Sequence, residues 1–386
     1  MIKRLVKATI TTLFVASTLA VTAADNNNSD PFSFTKGNTS VKVGGFATLT
    51  TGSYLSGSNG SNNDFLPSAI PTVTPLSDES RLIFDPSSTR LNLSVTQSTE
   101  KIGDIKLYVE IDFRGSSNTI RMRHAYFTVK GFTFGQTWSI MTDGAANAPT
   151  IDVQGVNARS YFRVPQISYK HSLTDQISMG ASIEMQTITI TSPSGEIESA
   201  VSKAPDFGLF AQSKGALGHI RFSTILRSMP YIYNNEKQNQ FGWGVQLTGT
   251  LNATKSLRFY GQSIYGHGIG RYINDLMSQS MDVVESVSSP YDVNALPMYG
   301  ASIGLKYDFT KKLYLSACYG SVKVMDSDDV LSSSDFRSSE FISTTLFYAP
   351  IKSLLFGFEY LHGARINVDK STGVANKINL MTRYLF

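Results

Sequence analysis

Alternation of apolar and polar residues, recurring in runs of roughly eight to ten along most of the chain, limits the possible folds more than any other feature. In "IKLYVEIDF", Ile105, Leu107, Val109, Ile111 and Phe113 share one face, with Lys106, Tyr108, Glu110 and Asp112 on the other. The same reading sets Leu91, Leu93 and Val95 against Arg90, Asn92 and Ser94, and Phe241, Trp243, Val245 and Leu247 against Gly242, Gly244, Gln246 and Thr248. Successive strand side chains point to opposite faces, so each run describes a strand that is greasy on one side only. About sixteen such strands can be marked between residues 40 and 386, and no segment shows helical periodicity as clearly.

The connections carry a second pattern. After every other strand the link is short: "STEKIG", "KG", "SLTD", "KGAL", "NATK", "FTKK" and "PIK". The alternate links are long: 53–87, 138–163, 187–204, 229–240, 267–297, 322–339 and 363–376, with the one near Gly115 as the short exception. An even number of antiparallel strands with turns on one rim and loops on the other predicts a closed transmembrane β-barrel of about sixteen strands, with periplasmic turns and extracellular loops. A soluble sandwich has no reason to collect its long loops on one rim. The closing strand "KINLMTRYLF" ends on Phe386 with Tyr384, Thr382, Leu380 and Ile378 at alternate positions behind it, as an outer-membrane strand would.

The leader "MIKRLVKATITTLFVASTLAVTAAD" supplies the matching export signal, with a basic start, a short apolar run and small residues at Ala23 and Ala24. Residues 1–24 are thus expected to be a cleaved signal peptide, 25–39 a short periplasmic segment without heptads, and 40–386 the barrel. Three of the 34 basic residues lie in the leader, leaving 31 against 30 acidic ones. A near-neutral mature chain excludes nucleic acid as a partner and leaves any positive field to local arrangement. Past the leader there is no run of about 18 apolar residues, so no helix is expected to cross a bilayer. The single cysteine, Cys318, excludes an internal disulfide. No cofactor or metal motif is present: "DSDD" at 326–329 lacks EF-hand spacing and reads as a solvated loop, and "GHGIG" lacks the βαβ context of a phosphate loop.

In a barrel the apolar face meets lipid and the polar face a hydrated lumen. In "TIRMRHAYFTV", strict alternation places Arg121, Arg123, Ala125 and Phe127 on one face and Ile120, Met122, His124, Tyr126 and Thr128 on the other. Two stacked arginines belong in water, so the first face is expected inside and His124 outside. That awkward exterior histidine, near the short Gly115 link, hints at an interface between copies. Arg90, Lys106, Arg221, Arg227, Arg258, Lys306 and Arg383 are expected inside by the same parity, against Glu110, Asp112, Glu184 and Glu359. The lumen then leans positive and favours anions. The link 138–163 carries Asp143, Asp152, Arg159 and Arg163 and is the expected constriction. Folded inward, it would set its carboxylates opposite Arg121 and Arg123. "INDLMSQSMDVVESV" is expected to contribute a short extracellular helix.

Three stretches together, "RMRHAYFTVKGFTFGQTWSIMTD" (121–143), "APTIDVQGVNARSYFRVPQISY" (148–169) and "GHGIGRYINDL" (266–276), resemble the DcaP-like trimeric porins of Gram-negative outer membranes. That resemblance implies a homotrimeric, sixteen-stranded diffusion channel for small hydrophilic solutes, with dicarboxylates among them. It also implies that Arg121, Arg123, Arg159 and Arg163 serve the solute path, in contact with outer-membrane lipid and lipopolysaccharide around the barrel. A barrel enzyme of lipase or protease type would need a nucleophile and base near the rim, and no such arrangement can be assembled from the sequence. An adhesin or receptor barrel, acting through its loops, is the other alternative. A plugged importer would need a domain ahead of the first strand, and about fifteen residues are available there.

Overall fold

The computed structural model describes residues 32–57, 64–73, 82–202, 204–289 and 291–386. The expected signal peptide lies outside the described residues. Sixteen antiparallel strands form one closed barrel. They are β1 (Thr39–Ser56), β2 (Leu82–Asp85 continued by Arg90–Thr99), β3 (Gly103–Asp112), β4 (Arg121–Val129), β5 (Phe132–Trp138), β6 (Arg163–Ser172), β7 (Ile177–Glu184) and β8 (Asp206–Gly215). Next come β9 (Gly218–Tyr233), β10 (Glu236–Asn252), β11 (Leu257–His267), β12 (Pro297–Asp308), β13 (Leu313–Val324), β14 (Phe336–Ile351), β15 (Leu354–Asn367) and β16 (Thr372–Leu385). Each strand pairs with its sequence neighbours, and β16 returns to β1 from Phe46↔Leu385 to Ser56↔Asn376, which leaves no open edge for lipid. Ser33–Lys36 folds back onto the first residues of β1 as a short hairpin strand.

The outward face is the apolar one: Leu49, Leu107, Ile167, Leu247, Ile303, Phe358 and Leu380 are all exposed on the isolated chain. Thr248, Gln262, Ser316, Thr345, Glu359 and Asn379 are buried inside. The long-loop rim departs from a simple polar lumen. There the inward residues Ile225, Ile264, Met298, Val322 and Phe336 join one core with Ile140, Phe162, Ile269 and Leu276 of loops that fold into the mouth. Loop and wall bury each other's apolar atoms, so the polar-inside rule holds only where the lumen stays open.

Four expectations need correction. First, β4 does not alternate strictly. A bulge lies between the pairs Glu110↔His124 and Ile111↔Met122, so Arg123 and His124 both turn inward. His124 is buried, with Nδ1 3.1 Å from Thr137 Oγ1 and its ring 5.9 Å from that of Tyr108, while Phe127 is exposed on the lipid side. An extra residue on one strand flips everything beyond it. The histidine therefore offers no hint of an interface. Second, 229–240 is a continuous hairpin: Asn234 and Asn235 have φ of 51° and 61°, which fits the two-residue turn that matches strand twist. Third, "INDLMSQSMDVVESV" forms 3-10 turns and the short strand Val283–Glu285 rather than an α-helix. Fourth, 363–376 is mostly hairpin, since β15 and β16 pair as far as Ile366↔Thr372.

The bulge gives a direct test. In a single-cysteine background, Tyr126→Cys is expected to react with a membrane-impermeant thiol reagent and Phe127→Cys to be protected in liposomes. The reverse order would restore strict alternation.

Candidate functional site

The link 139–162 turns into the barrel and is held along its length by the wall, first by nearby β7 and then by strands farther round. Glu184 receives Ile140 N–H at 2.7 Å and the Ser139 hydroxyl at 2.8 Å. Glu359 receives Ile151 N–H and Asp152 N–H, both at 2.8 Å. The Gln262 amide donates to Ala146 O at 3.1 Å, and the Asn157 amide donates to Ser339 Oγ at 3.0 Å. The wall is cut away to seat the loop: a Cβ on Gly320 would lie 2.4 Å from Val156, and one on Gly357 2.7 Å from Ile151. Glycine is needed at both points for close approach. The link thus runs through the barrel interior from β7 to β14 and β15.

Its carboxylates do not face the β4 arginines. Asp143 Oδ2 lies 2.7 Å from His219 Nε2 and accepts from Thr248 Oγ1 at 2.5 Å, on the β9–β10 wall. Asp152 is fully enclosed and accepts Phe65 N–H at 3.1 Å and Gly155 N–H at 3.0 Å. Phe65 belongs to a second infolded segment, described over residues 64–73, whose Ser68 in turn meets Asp275 of a third link at 3.0 Å. Asp275 N–H donates to Asn157 O, closing the knot between the three links. The expected transverse field between loop acids and Arg121/Arg123 is therefore absent, because both acids are spent on anchoring.

The partners of Arg121 and Arg123 come instead from the neighbouring strand. Arg121 takes Asp112 in a fork, Nε at 2.9 Å and Nη2 at 2.7 Å, and Arg123 bridges Glu110 at 2.5 Å and Asp112 at 3.1 Å. Arg90 stands 3.9 Å from Glu110. What the loop adds at this place is further positive charge. Arg159 Nη2 donates to Val153 O at 2.7 Å and its guanidinium lies 3.5 Å from the Tyr161 ring centre. Arg163 packs 4.8 Å from the Trp138 ring, directly opposite it in register, with no acid paired to it among the described residues. β4 and β5 pair only from Ala125↔Gln136 to Val129↔Phe132, and beyond that the Trp138 ring sits 4.4 Å from Tyr161 and 5.2 Å from His124.

Five guanidiniums (Arg90, Arg121, Arg123, Arg159 and Arg163) thus gather around two carboxylates (Glu110 and Asp112). Three positive charges are left over. Tyr161 registers the field. Burial alone would raise its phenol, yet the guanidiniums of Arg159, Arg90, Arg123 and Arg163 outweigh that and bring it down to about 7.

Arg221 and Arg258 stand apart from this cluster. Arg221 lies 4.0 Å from the Phe210 ring and donates to Ile140 O at 2.5 Å, bracing the start of the loop. Arg258 is exposed near the turn rim and donates to Asn252 Oδ1 at 2.7 Å. Arg227, expected to line the pore, is buried between Asp206 at 3.1 Å and Asp282 at 2.7 Å and pins the third infolded link to β8 and β9. The sequence analysis missed Arg114, which pairs with Asp64 and reaches Asp85 at 3.8 Å. It sits in the short Gly115 link, where strand periodicity carries no signal.

A closed sixteen-strand barrel with an anchored internal loop is the architecture of an outer-membrane porin. A family model described as the porin subfamily matches residues 74–380, and the chain belongs to that family. The fold is that of the outer membrane channel DcaP of Acinetobacter baumannii, with a TM-score of 0.79 and 21% identity over 91% of this chain and 99% of that one. The anion-selective porin from Comamonas acidovorans matches with a TM-score of 0.63 at 10% identity, over 90% of this chain and all of that one. OmpT of Vibrio cholerae in its trimer form matches at 0.58 and 13% identity, over 91% and 100% of the two chains. No curated protein matches the chain significantly in sequence.

Proposed function

We propose that this porin favours small anions, dicarboxylates among them, and that the Arg90–Arg163 cluster at the root of the constriction loop sets the preference. The observation that carries the reading is the surplus of five guanidiniums over two carboxylates there, two of them (Arg159 and Arg163) without an ion pair, in a chain whose mature part is otherwise near neutral. A dicarboxylate suits such a site because each carboxylate can take a planar guanidinium fork. The name of the Comamonas porin, anion-selective, and the trimer form of OmpT support extending anion preference and threefold assembly to this chain. The mature protein would begin after residue 24 and sit among outer-membrane lipid and lipopolysaccharide, with its turns periplasmic and its loops outside.

The test is reconstitution in planar bilayers across a potassium chloride gradient. Ohmic conductance in steps of three, with a reversal potential of the sign set by chloride, is expected. A potential of the opposite sign would overturn the preference, and silence would overturn the channel.

A further inference from the structure

Within the arginine cluster, the guanidinium of Arg159 is sealed off. The residue is 5% exposed. Its guanidinium lies 3.5 Å from the Tyr161 ring centre, and the Gly155 backbone comes so near that a Cβ there would stand 2.8 Å from Cζ. Nη2 is spent on Val153 O, and Nε has no hydrogen-bond partner among the described residues. Arg159 therefore acts on the lumen as a fixed charge and is too enclosed to meet a passing ion itself.

Tyr161 is placed differently. It is half-buried, with its ring 4.4 Å from that of Trp138. Its hydroxyl makes no hydrogen bond to the described residues. The hydroxyls of Tyr108 and Tyr272, by contrast, are tied to Glu110 at 2.8 Å and Asp206 at 2.7 Å. The charged groups that bear on Tyr161 are Arg159 of its own link, Arg90 of β2, Arg123 of β4 and Arg163 of β6. Glu110 and Asp112 of β3 are taken up by Arg123 and Arg121. His124 of β4 lies 5.2 Å from Trp138, and Asp152 and Cys318 bear on Arg159. Polar groups inside a protein are ordinarily satisfied, so a hydroxyl left without a partner among four cations is free for the solute.

We propose that Tyr161 is a specificity-determining residue of the constriction, which contacts the passing anion where Arg159 cannot. The neutral hydroxyl donates a hydrogen bond to the anion, and the ionised acceptor makes that bond a strong one. Loss of the phenolic proton to lumen water turns the donor into a fixed negative charge, which repels the anion and offsets one of the surplus guanidiniums. The four arginines bring the phenol to about 7, so anion preference is greatest below about pH 6 and least above about pH 8. The inference rests on the anion-favouring reading above.

The experiment uses the full-length channel in a planar bilayer across a potassium chloride gradient, with reversal potentials read from about pH 5.5 to about pH 8.5. The wild-type anion-to-cation permeability ratio is expected to fall about fivefold over that interval, the effect of one unit charge roughly 5 Å from the ion after screening by salt. Tyr161→Phe keeps the ring on Arg159 and Trp138 but has no proton to lose, and its ratio should stay level. Asp152→Asn removes the carboxyl that titrates in the same interval and should keep the wild-type fall. Ultraviolet difference spectra of the detergent-solubilised protein should show one tyrosinate forming near neutral pH in the wild type and none in Tyr161→Phe. A fall that survives in Tyr161→Phe, a fall abolished by Asp152→Asn, or no tyrosinate below about pH 9 would overturn the role of Tyr161. A level wild-type ratio that still favours chloride would do the same and leave the anion reading in place. A ratio favouring potassium at every pH would instead overturn that reading.

Discussion

Replacing Arg159 and Arg163 together with alanine is expected to lower the anion-to-cation permeability ratio by about tenfold. Neither guanidinium is paired with an acid, and their loss leaves Arg90, Arg121 and Arg123 against Glu110 and Asp112, a single net charge. Two unit charges roughly 8 Å from a permeating ion contribute about 1 kcal/mol in water, with opposite sign for anion and cation, and salt trims the sum. The contrasting double variant, Arg121→Ala/Arg123→Ala, is expected to act chiefly on stability. It strands Glu110 and Asp112, which are 5% and 0% exposed, and leaving a buried partner unpaired costs about 3–5 kcal/mol. Reversal potentials and heat-dependent electrophoretic mobility, measured on both variants, separate the two effects. Equal selectivity losses with equal thermal stability would remove the distinction drawn here between paired and unpaired arginines.

The second large effect is expected from Glu359→Ala. Its carboxylate holds Ile151 and Asp152 of the loop, and is itself held by the Thr345 hydroxyl at 2.9 Å and the Asn379 amide at 3.0 Å. Two hydrogen bonds to a charged acceptor contribute roughly 3–6 kcal/mol of anchoring. Their loss should free the middle of the loop, giving higher single-channel conductance, more current noise and proteolytic cleavage near Asp152. Acidity acts on the same anchor. Burial first, then the charge of Asp64, pushes the Asp152 carboxyl up to about 7. An acid whose value is raised in the closed arrangement favours that arrangement when protonated, so anchoring is fullest below about pH 4 and falls as pH rises toward 7. Current noise in the wild type should increase over the same interval, and Asp152→Asn should flatten the response. A noise level independent of pH would show that Asp152 does not control the loop.

The strands were legible because lipid outside and water inside impose a two-residue period on every one of them. All sixteen could be placed, and the pairing of β16 with β1 follows from closure alone. The bulge at Arg123–His124 was not legible, since one inserted residue leaves composition and hydropathy unchanged while reversing the faces beyond it. Nor were the inward apolar residues Ile225, Met298 and Phe336, whose partners are loop residues far away in sequence. The arginines of the site could be named, but their balance could not. Whether Asp143 and Asp152 neutralise Arg121 or anchor the loop depends on where a long link lands, and periodicity says nothing about that. The segment 229–240 read as a long loop because its polar residues concealed two strands that pair as far as Tyr233↔Glu236.

The knot between the three infolded links bears on biogenesis. Ser68 and Asp275 are 207 positions apart, and Ile151 and Glu359 are 208 apart. The gate inside the cylinder therefore cannot be completed until the last hairpins have been inserted. A half-assembled chain would be a leaky one, and cells making it would gain from holding it away from the bilayer until its C-terminal strand is ready to zip onto the first.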